Sequence, residues 1–299
     1  MDPSQIAQLE TLCYEQSGAI GWLRLNRAQK LNAMTPKMWA ELRELGQTLS
    51  GDESLRALVV IGEGRAFSPG IDTSAFSGNT FKGHEREPVP EVVTDDDPLV
   101  SIIQGFQEAF TWLEEAPYPT IAAVRGFALG GGMQLALACD IRVVARGTKL
   151  ELLEHRYGLI PDLGGTQRLP RLVGRGKAKE LIFTAQQIEA DEAYRIGLAE
   201  QLVDDESLES TVTALANSWQ ASLRCPCGMQ NGRLMQVRIC PFVTGCYWKR
   251  RVRRCAYART MRKKLFGRLW KNGLLSTRDD KKYTQVMHLA GLQPKGLLQ

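Results

Sequence analysis

Short apolar runs of strand length punctuate the first half of the chain. They stand at Ala19 to Leu25 (AIGWLRL), Arg56 to Gly62 (RALVVIG), Thr120 to Val124 and Asp140 to Ala145, and each reads as a strand. Between the first two, Met38, Leu42, Leu45 and Leu49 recur at helical spacing up to Gly51, and Thr35-Pro36 supplies an N-cap and a first-turn proline. Ile102, Phe106, Ala109, Phe110 and Leu113 predict a second amphipathic helix that ends near Pro117. After the third strand come the turn Arg125-Gly126, the glycine run Gly130-Gly131-Gly132 and a helical stretch from Leu135 to Cys139. Strands alternating with helices indicate an α/β protein with largely parallel pairing. Ser77 to Pro98 breaks the pattern with three prolines and the run Asp95-Asp96-Asp97. Such a stretch reads as a mobile surface loop, and long loops often cover a site.

Composition adds two things to this picture. At 299 residues and 43% hydrophobic content the chain can bury a substantial core. The start, MDPSQIAQLE, has neither a basic opening nor an apolar run of the length a signal peptide or membrane helix needs, so a cytoplasmic protein without a membrane span is expected. The charge of +5 is unevenly spread: residues 1–224 hold 21 basic and 31 acidic side chains, residues 225–299 hold 17 and 2. The cysteines follow the same divide, with Cys13 and Cys139 in the long part and Cys225, Cys227, Cys240, Cys246 and Cys255 in the tail. Their odd number, and the absence of a secretion signal, favour reduced thiols over a disulfide framework. Neither these cysteines nor His84, His155 and His288 have metal-ligand spacing, so no metal is expected.

Five segments, in order, resemble the enoyl-CoA hydratase/isomerase (crotonase) family. They are LNRAQKLNAM (Leu25 to Met34), GRAFSPGID (Gly64 to Asp72), AAVRGFALGGGMQLALACDIR (Ala122 to Arg142), GLIPDLGGTQRLPRLVG (Gly158 to Gly174) and ADEAYRIGLAEQLV (Ala190 to Val203). One glycine-rich motif is weak by itself; five in register are specific. The resemblance implies a spiral of ββα units with two nearly perpendicular sheets, followed by a helical C-terminal region used for trimer or hexamer assembly. It divides the chain into a core at residues 1–205 and a C-terminal region at 206–299, which is basic and atypical from about 225.

Reactions beside a thioester carbonyl pass through an enolate, whose oxygen needs preorganised donors. By resemblance these are the backbone N–H groups of Ile71, just after Gly70, and of Gly131, which precedes a helix whose N-terminus favours an anion. The competing reading of Gly130 to Gly132 is a tight turn that only glycine tolerates. The resemblance also places coenzyme A along Ile71, Asp72, Thr73 and Ser74, with its phosphates near Arg27 and Lys30, where cations suit phosphate. Coenzyme A then enters as part of the substrate, and no separate cofactor is implied.

Glu154, counted back from Gly164-Gly165, falls where the family places a proton-moving carboxylate, a role favoured by a partly apolar pocket. Its competing reading is a surface glutamate in the charged cluster Glu151, Glu154, His155 and Arg156. Gln134 stands where hydratases carry a second glutamate, and an amide can hydrogen-bond but cannot exchange a proton at neutral pH. Asp162 matches an aspartate that dienoyl-CoA isomerases use as a second acid/base; its competing reading is a Pro-Asp turn.

The expected activity is double-bond isomerisation or hydration of an enoyl-CoA. Alternatives on the same scaffold are thioester hydrolysis, decarboxylation, dehalogenation and acyl-CoA binding without catalysis. The tail stretch KRRVRRCAYARTMRKKLFGR (Lys249 to Arg268) leaves three readings open: a basic amphipathic helix for nucleic acid, an acidic partner or an anionic membrane surface; a solvated basic helix; or translation in an altered frame.

Overall fold

A turn at Gly18, where φ is +61° and no neighbour crowds the backbone, folds strands β1 (Leu12–Ser17) and β2 (Ile20–Leu25) into an antiparallel pair. The computed structural model describes residues 9–72 and 98–222. Strand β3 (Ala57–Gly62) pairs parallel to β2, and strands β4 (Thr120–Val124), β6 (Ile141–Ala145) and β9 (Gln201–Val203) extend the sheet in parallel. Its order is β1-β2-β3-β4-β6-β9.

Every residue of β3 and β4 is buried, because helices cover both faces. On one face Leu58, Val60, Ala122 and Val124 pack with helices α1 (Pro36–Leu49) and α2 (Pro98–Glu115). On the other, Val59, Ile61, Ile121 and Ala123 meet Leu208, Val212 and Ala216 of helix α7 (Leu208–Ser222). The strand period of two thus divides each apolar run between two cores. Helix α1 starts as its sequence predicts, with Thr35 Oγ1 accepting the Met38 N–H at 3.2 Å. It crosses α2 so closely that a Cβ on Gly46 would lie 2.4 Å from Trp112.

A second sheet holds β5 (Phe127–Leu129), β7 (Lys149–Glu151) and β8 (Ile188–Glu189) in the order β5-β7-β8. Helix α3 (Gly131–Ala138) follows β5 after one residue and so begins inside the glycine run, four residues earlier than expected. A 3-10 turn (Glu154–Tyr157) leads to helices α4 (Gly165–Val173), α5 (Arg175–Thr184) and α6 (Ala190–Arg195).

The fully buried Arg142 ties β6 to the segment before β9. Its guanidinium donates to the carbonyls of Leu198, Cys139 and Asp140 and pairs with Glu200. The chain divides after Leu223 into two units, and the second, residues 224–299, lies outside the described residues, as does the expected loop from Ser77 to Pro98 except for Pro98 itself, which begins helix α2. Among the described residues no helix is long and apolar enough to cross a membrane.

Candidate active site

Three chain segments converge where β5 ends. Residues 68–72 run beside Met34 on one side and beside β5 on the other, through parallel bridges Met34↔Ile71 and Ser68↔Ala128. Gly70 has φ +94°, and a Cβ there would lie 2.8 Å from the Leu129 carbonyl oxygen, so both its conformation and its contact demand glycine. The Gly70 carbonyl accepts from Met34 N at 2.7 Å. In a trans peptide the next N–H points the opposite way, so the Ile71 N–H is directed away from Met34. It has no acceptor among the described residues, and neither has the Gly131 N–H at the start of α3. A Cβ on Gly70 would be 3.2 Å from Gly131 N, so the two donors belong to one small locus.

The glycine run resolves into three separate causes. Gly130 has φ +49° and ψ −120°, a backbone state reserved for glycine. A Cβ on Gly132 would lie 2.3 Å from the Ser68 carbonyl oxygen. Gly131 has neither excuse: its φ is not positive, and an added Cβ would make ordinary contacts, 3.6 Å from Leu163 and Met34 and 3.9 Å from Gly70. The turn explains two of the glycines; a Cβ on the third would extend into the space beside Gly70, Met34 and Leu163.

Glu154 opens the 3-10 turn and is buried. Its Oε1 accepts from Gln134 Nε2 at 2.7 Å, while its Oε2, also buried, has no hydrogen-bond partner among the described residues. Burial pushes its pKa above the ordinary carboxylate range; hydrogen bonds from its own backbone and from Gln134 oppose this, and the charges of Asp162 and Glu151 reinforce it. Gln134, in the first turn of α3, is itself held: its Oε1 accepts the Gly165 N–H of α4 at 2.9 Å. The amide therefore spans a backbone donor and a carboxylate. A glutamine meets both, because an amide accepts with its oxygen and donates with its nitrogen.

Asp162 is half-buried, and burial raises its pKa. Its carbonyl accepts from Gln107 of α2 at 2.6 Å, and its charge reaches Glu154.

The segment expected to meet phosphates is divided. Arg27 is turned inward, donating to the Ala33 carbonyl and pairing with Asp72 at 3.0 Å. Lys30, in the exposed 3-10 turn Ala28–Lys30, has no ion-pair partner among the described residues. Asp72 closes the inner end of this segment, and Thr73 and Ser74 lie outside the described residues. Cys139 is fully buried, and burial pushes its thiol up to about 12, which removes it as a nucleophile. No cluster of three or more His, Cys, Asp or Glu fit to hold a metal occurs among the described residues.

Sequence reasoning passed over three residues that build this place. Asn32 (φ +64°) accepts from Arg27 N and donates to the Glu63 and Ala66 carbonyls; Ser68 lies beside Gly70; Gly165 anchors Gln134. A clue was available for the first, since Asn is among the few residues that tolerate positive φ.

Residues 15–229 match the model of the enoyl-CoA hydratase/isomerase family. The short-chain-enoyl-CoA hydratase of Clostridium acetobutylicum is 37% identical over 212 residues, 70% of this chain and 75% of that protein. The mitochondrial Delta(3,5)-Delta(2,4)-dienoyl-CoA isomerase of Rattus norvegicus is 35% identical over 213 residues, 71% of this chain and 64% of that one. A crystal structure of a Thermobifida fusca YX protein in complex with CoA superposes with a TM-score of 0.71 at 34% identity, covering 90% of this chain and 98% of that chain.

Proposed function

The chain belongs to the enoyl-CoA hydratase/isomerase family, and from that premise we propose that it moves a carbon–carbon double bond along an enoyl-CoA by a proton shuttle on Glu154. The carrying observation is the unequal state of the two Glu154 oxygens, one held by Gln134 and the other buried without a partner. A carboxylate held this way presents one basic atom, and its raised pKa suits a group that must both take and return a proton.

The thioester oxygen sits between the Ile71 and Gly131 N–H groups. Glu154 Oε2 removes a proton from carbon 2 of a 3-enoyl thioester, the electron pair passes to the carbonyl oxygen, and the dienolate is stabilised by the two donors. The same carboxylic acid returns the proton at carbon 4, which leaves the double bond between carbons 2 and 3. Hydration needs a water positioned by two carboxylates, and the 2.7 Å contact between Gln134 and Glu154 occupies that place with an amide.

A second reading follows from Asp162, whose charge acts on Glu154. With a 3,5-dienoyl thioester the proton is returned farther along the chain, and Asp162 serves as the second acid/base. A relative of that activity, the rat isomerase, supports it. Coenzyme A phosphates are assigned to Lys30, with Arg27 paired to Asp72. A trimeric or hexameric assembly accompanies the family reading. The test is to incubate the purified protein with 3-enoyl, 2-enoyl and 3,5-dienoyl thioesters and to identify products by mass and double-bond position. A 3-hydroxyacyl product with no double-bond shift would refute the isomerase reading.

A further inference from the structure

We propose that Ser68 fixes the two thioester-oxygen donors relative to each other, as a positioning residue; this rests on the assignment of the Ile71 and Gly131 N–H groups to that oxygen. Ser68 is fully buried, and each of its polar groups has a separate task. Its N–H donates to the Phe127 carbonyl at 2.9 Å and its carbonyl accepts from Leu129 N at 3.0 Å, which fixes β5 two residues before Gly131. Its hydroxyl donates to the Asn32 carbonyl at 2.9 Å and accepts from Gly70 N at 3.2 Å, which fixes the residue before Ile71. The first turn of α3 rests directly on it, since a Cβ on Gly132 would come within 2.9 Å of Ser68 Cβ.

The backbone of Ser68 therefore governs one donor and its hydroxyl the other. On the Ile71 side the hydroxyl holds the Pro69–Gly70 peptide through Gly70 N, while Met34 binds the Gly70 carbonyl and the Asp72 N–H, so the segment carrying the Ile71 N–H is held from both ends. Asn32, the other partner of the hydroxyl, is immobilised by its own three side-chain hydrogen bonds. Loss of the hydroxyl orphans the buried Gly70 N–H and the Asn32 carbonyl and leaves the Ile71 donor held by Met34 alone, free to shift by a small amount, while the backbone seat of Gly131 persists. Small misplacement of a catalytic donor costs up to about 10²-fold in rate.

The test compares wild type with Ser68→Ala by three measurements. These are kcat on the best enoyl thioester, the affinity for free coenzyme A, which has no thioester carbonyl, and the isotope-edited infrared band of the carbonyl of a bound acyl thioester. Expected are a kcat lower by about 10- to 100-fold, an unchanged coenzyme A affinity and a smaller downshift of the band. Thr120→Ala serves as the structural control, because it breaks the buried bonds to Asp140 at the start of β4. It should lower stability and leave the band where wild type has it. Where Ser68→Ala fails to fold, Ser68→Cys takes its place. A thiol bonds more weakly, so the same losses are expected at smaller size. A wild-type protein that does not shift the band overturns the donor assignment itself. A wild-type shift kept in full, with full kcat, by folded Ser68→Ala or by Ser68→Cys overturns only the role of Ser68.

Discussion

Replacing Gln134 by glutamate places a second carboxylate 2.7 Å from Glu154, at the position where the amide now donates. One oxygen of the new side chain can keep the Gly165 N–H, as Gln134 Oε1 does at 2.9 Å. The other then faces an acceptor with no hydrogen to offer unless the pair retains a proton. Two unit charges about 4 Å apart repel by about 4 kcal/mol at an effective dielectric of 20. That repulsion disfavours the second ionisation and pushes the Glu154 pKa further up. Loss of the Gln134 hydrogen bond, which holds the Glu154 pKa down, acts in the same direction. A base works only when deprotonated, so kcat/KM rises with pH through the Glu154 pKa, and Gln134→Glu should carry this acid limb upward. At a fixed pH below the new limb, activity falls about tenfold per unit of displacement. The assay is a pH profile of double-bond shift for both proteins, with each product tested for added water. An acid limb that stays in place, with or without new hydration, refutes the contact as the source of Glu154's tuning.

Glu154→Gln should abolish turnover yet leave the affinity for a coenzyme A thioester nearly unchanged by titration calorimetry, because binding rests on backbone donors and the coenzyme pocket. The same variant should unfold at higher temperature at neutral pH: a folded-state pKa above the unfolded value makes Glu154 costly as pH rises through that interval, and an amide escapes the cost. Asp162→Asn should suppress 3,5-dienoyl isomerisation and spare the simple 3-enoyl shift, read from product composition; equal loss of both would make Asp162 structural. Arg142→Ala should cost about 2–4 kcal/mol in urea unfolding, because the Cys139, Leu198 and Asp140 carbonyls lose a donor together.

Legibility in the sequence followed burial. Strands β3 and β4 were readable because burial on both faces makes continuous apolar runs, and α1 because Thr35 and Pro36 mark its start. Strand β1 (LCYEQS) was not, since it is an edge strand with half its residues exposed, and two- and three-residue strands such as β8 and β5 are too short to show any period. At the site, Glu154 and Gln134 could be placed by counting from glycines, but their mutual contact could not, because residues 20 apart met through the turn after β7. A similar limit applied to Arg27. Its charge suggests a phosphate, and only the folded chain shows that Asp72, 45 residues on, engages it.

Three consecutive glycines look alike in a sequence, and the fold separates them by cause. Gly130 answers to its dihedrals and Gly132 to the Ser68 carbonyl, so a protein with no ligand at all would still need both. Gly131 would tolerate a Cβ as far as its protein neighbours are concerned, with nothing nearer than 3.6 Å. A side chain there would instead fill the space between Met34, Leu163 and Gly70, beside the two N–H groups that lack acceptors among the described residues. Under the proposed function, a Cβ at this position would compete with the thioester for that space. The tight-turn reading accounts for Gly130 and Gly132, and the thioester-oxygen reading proposed above gives Gly131 a use that the turn does not.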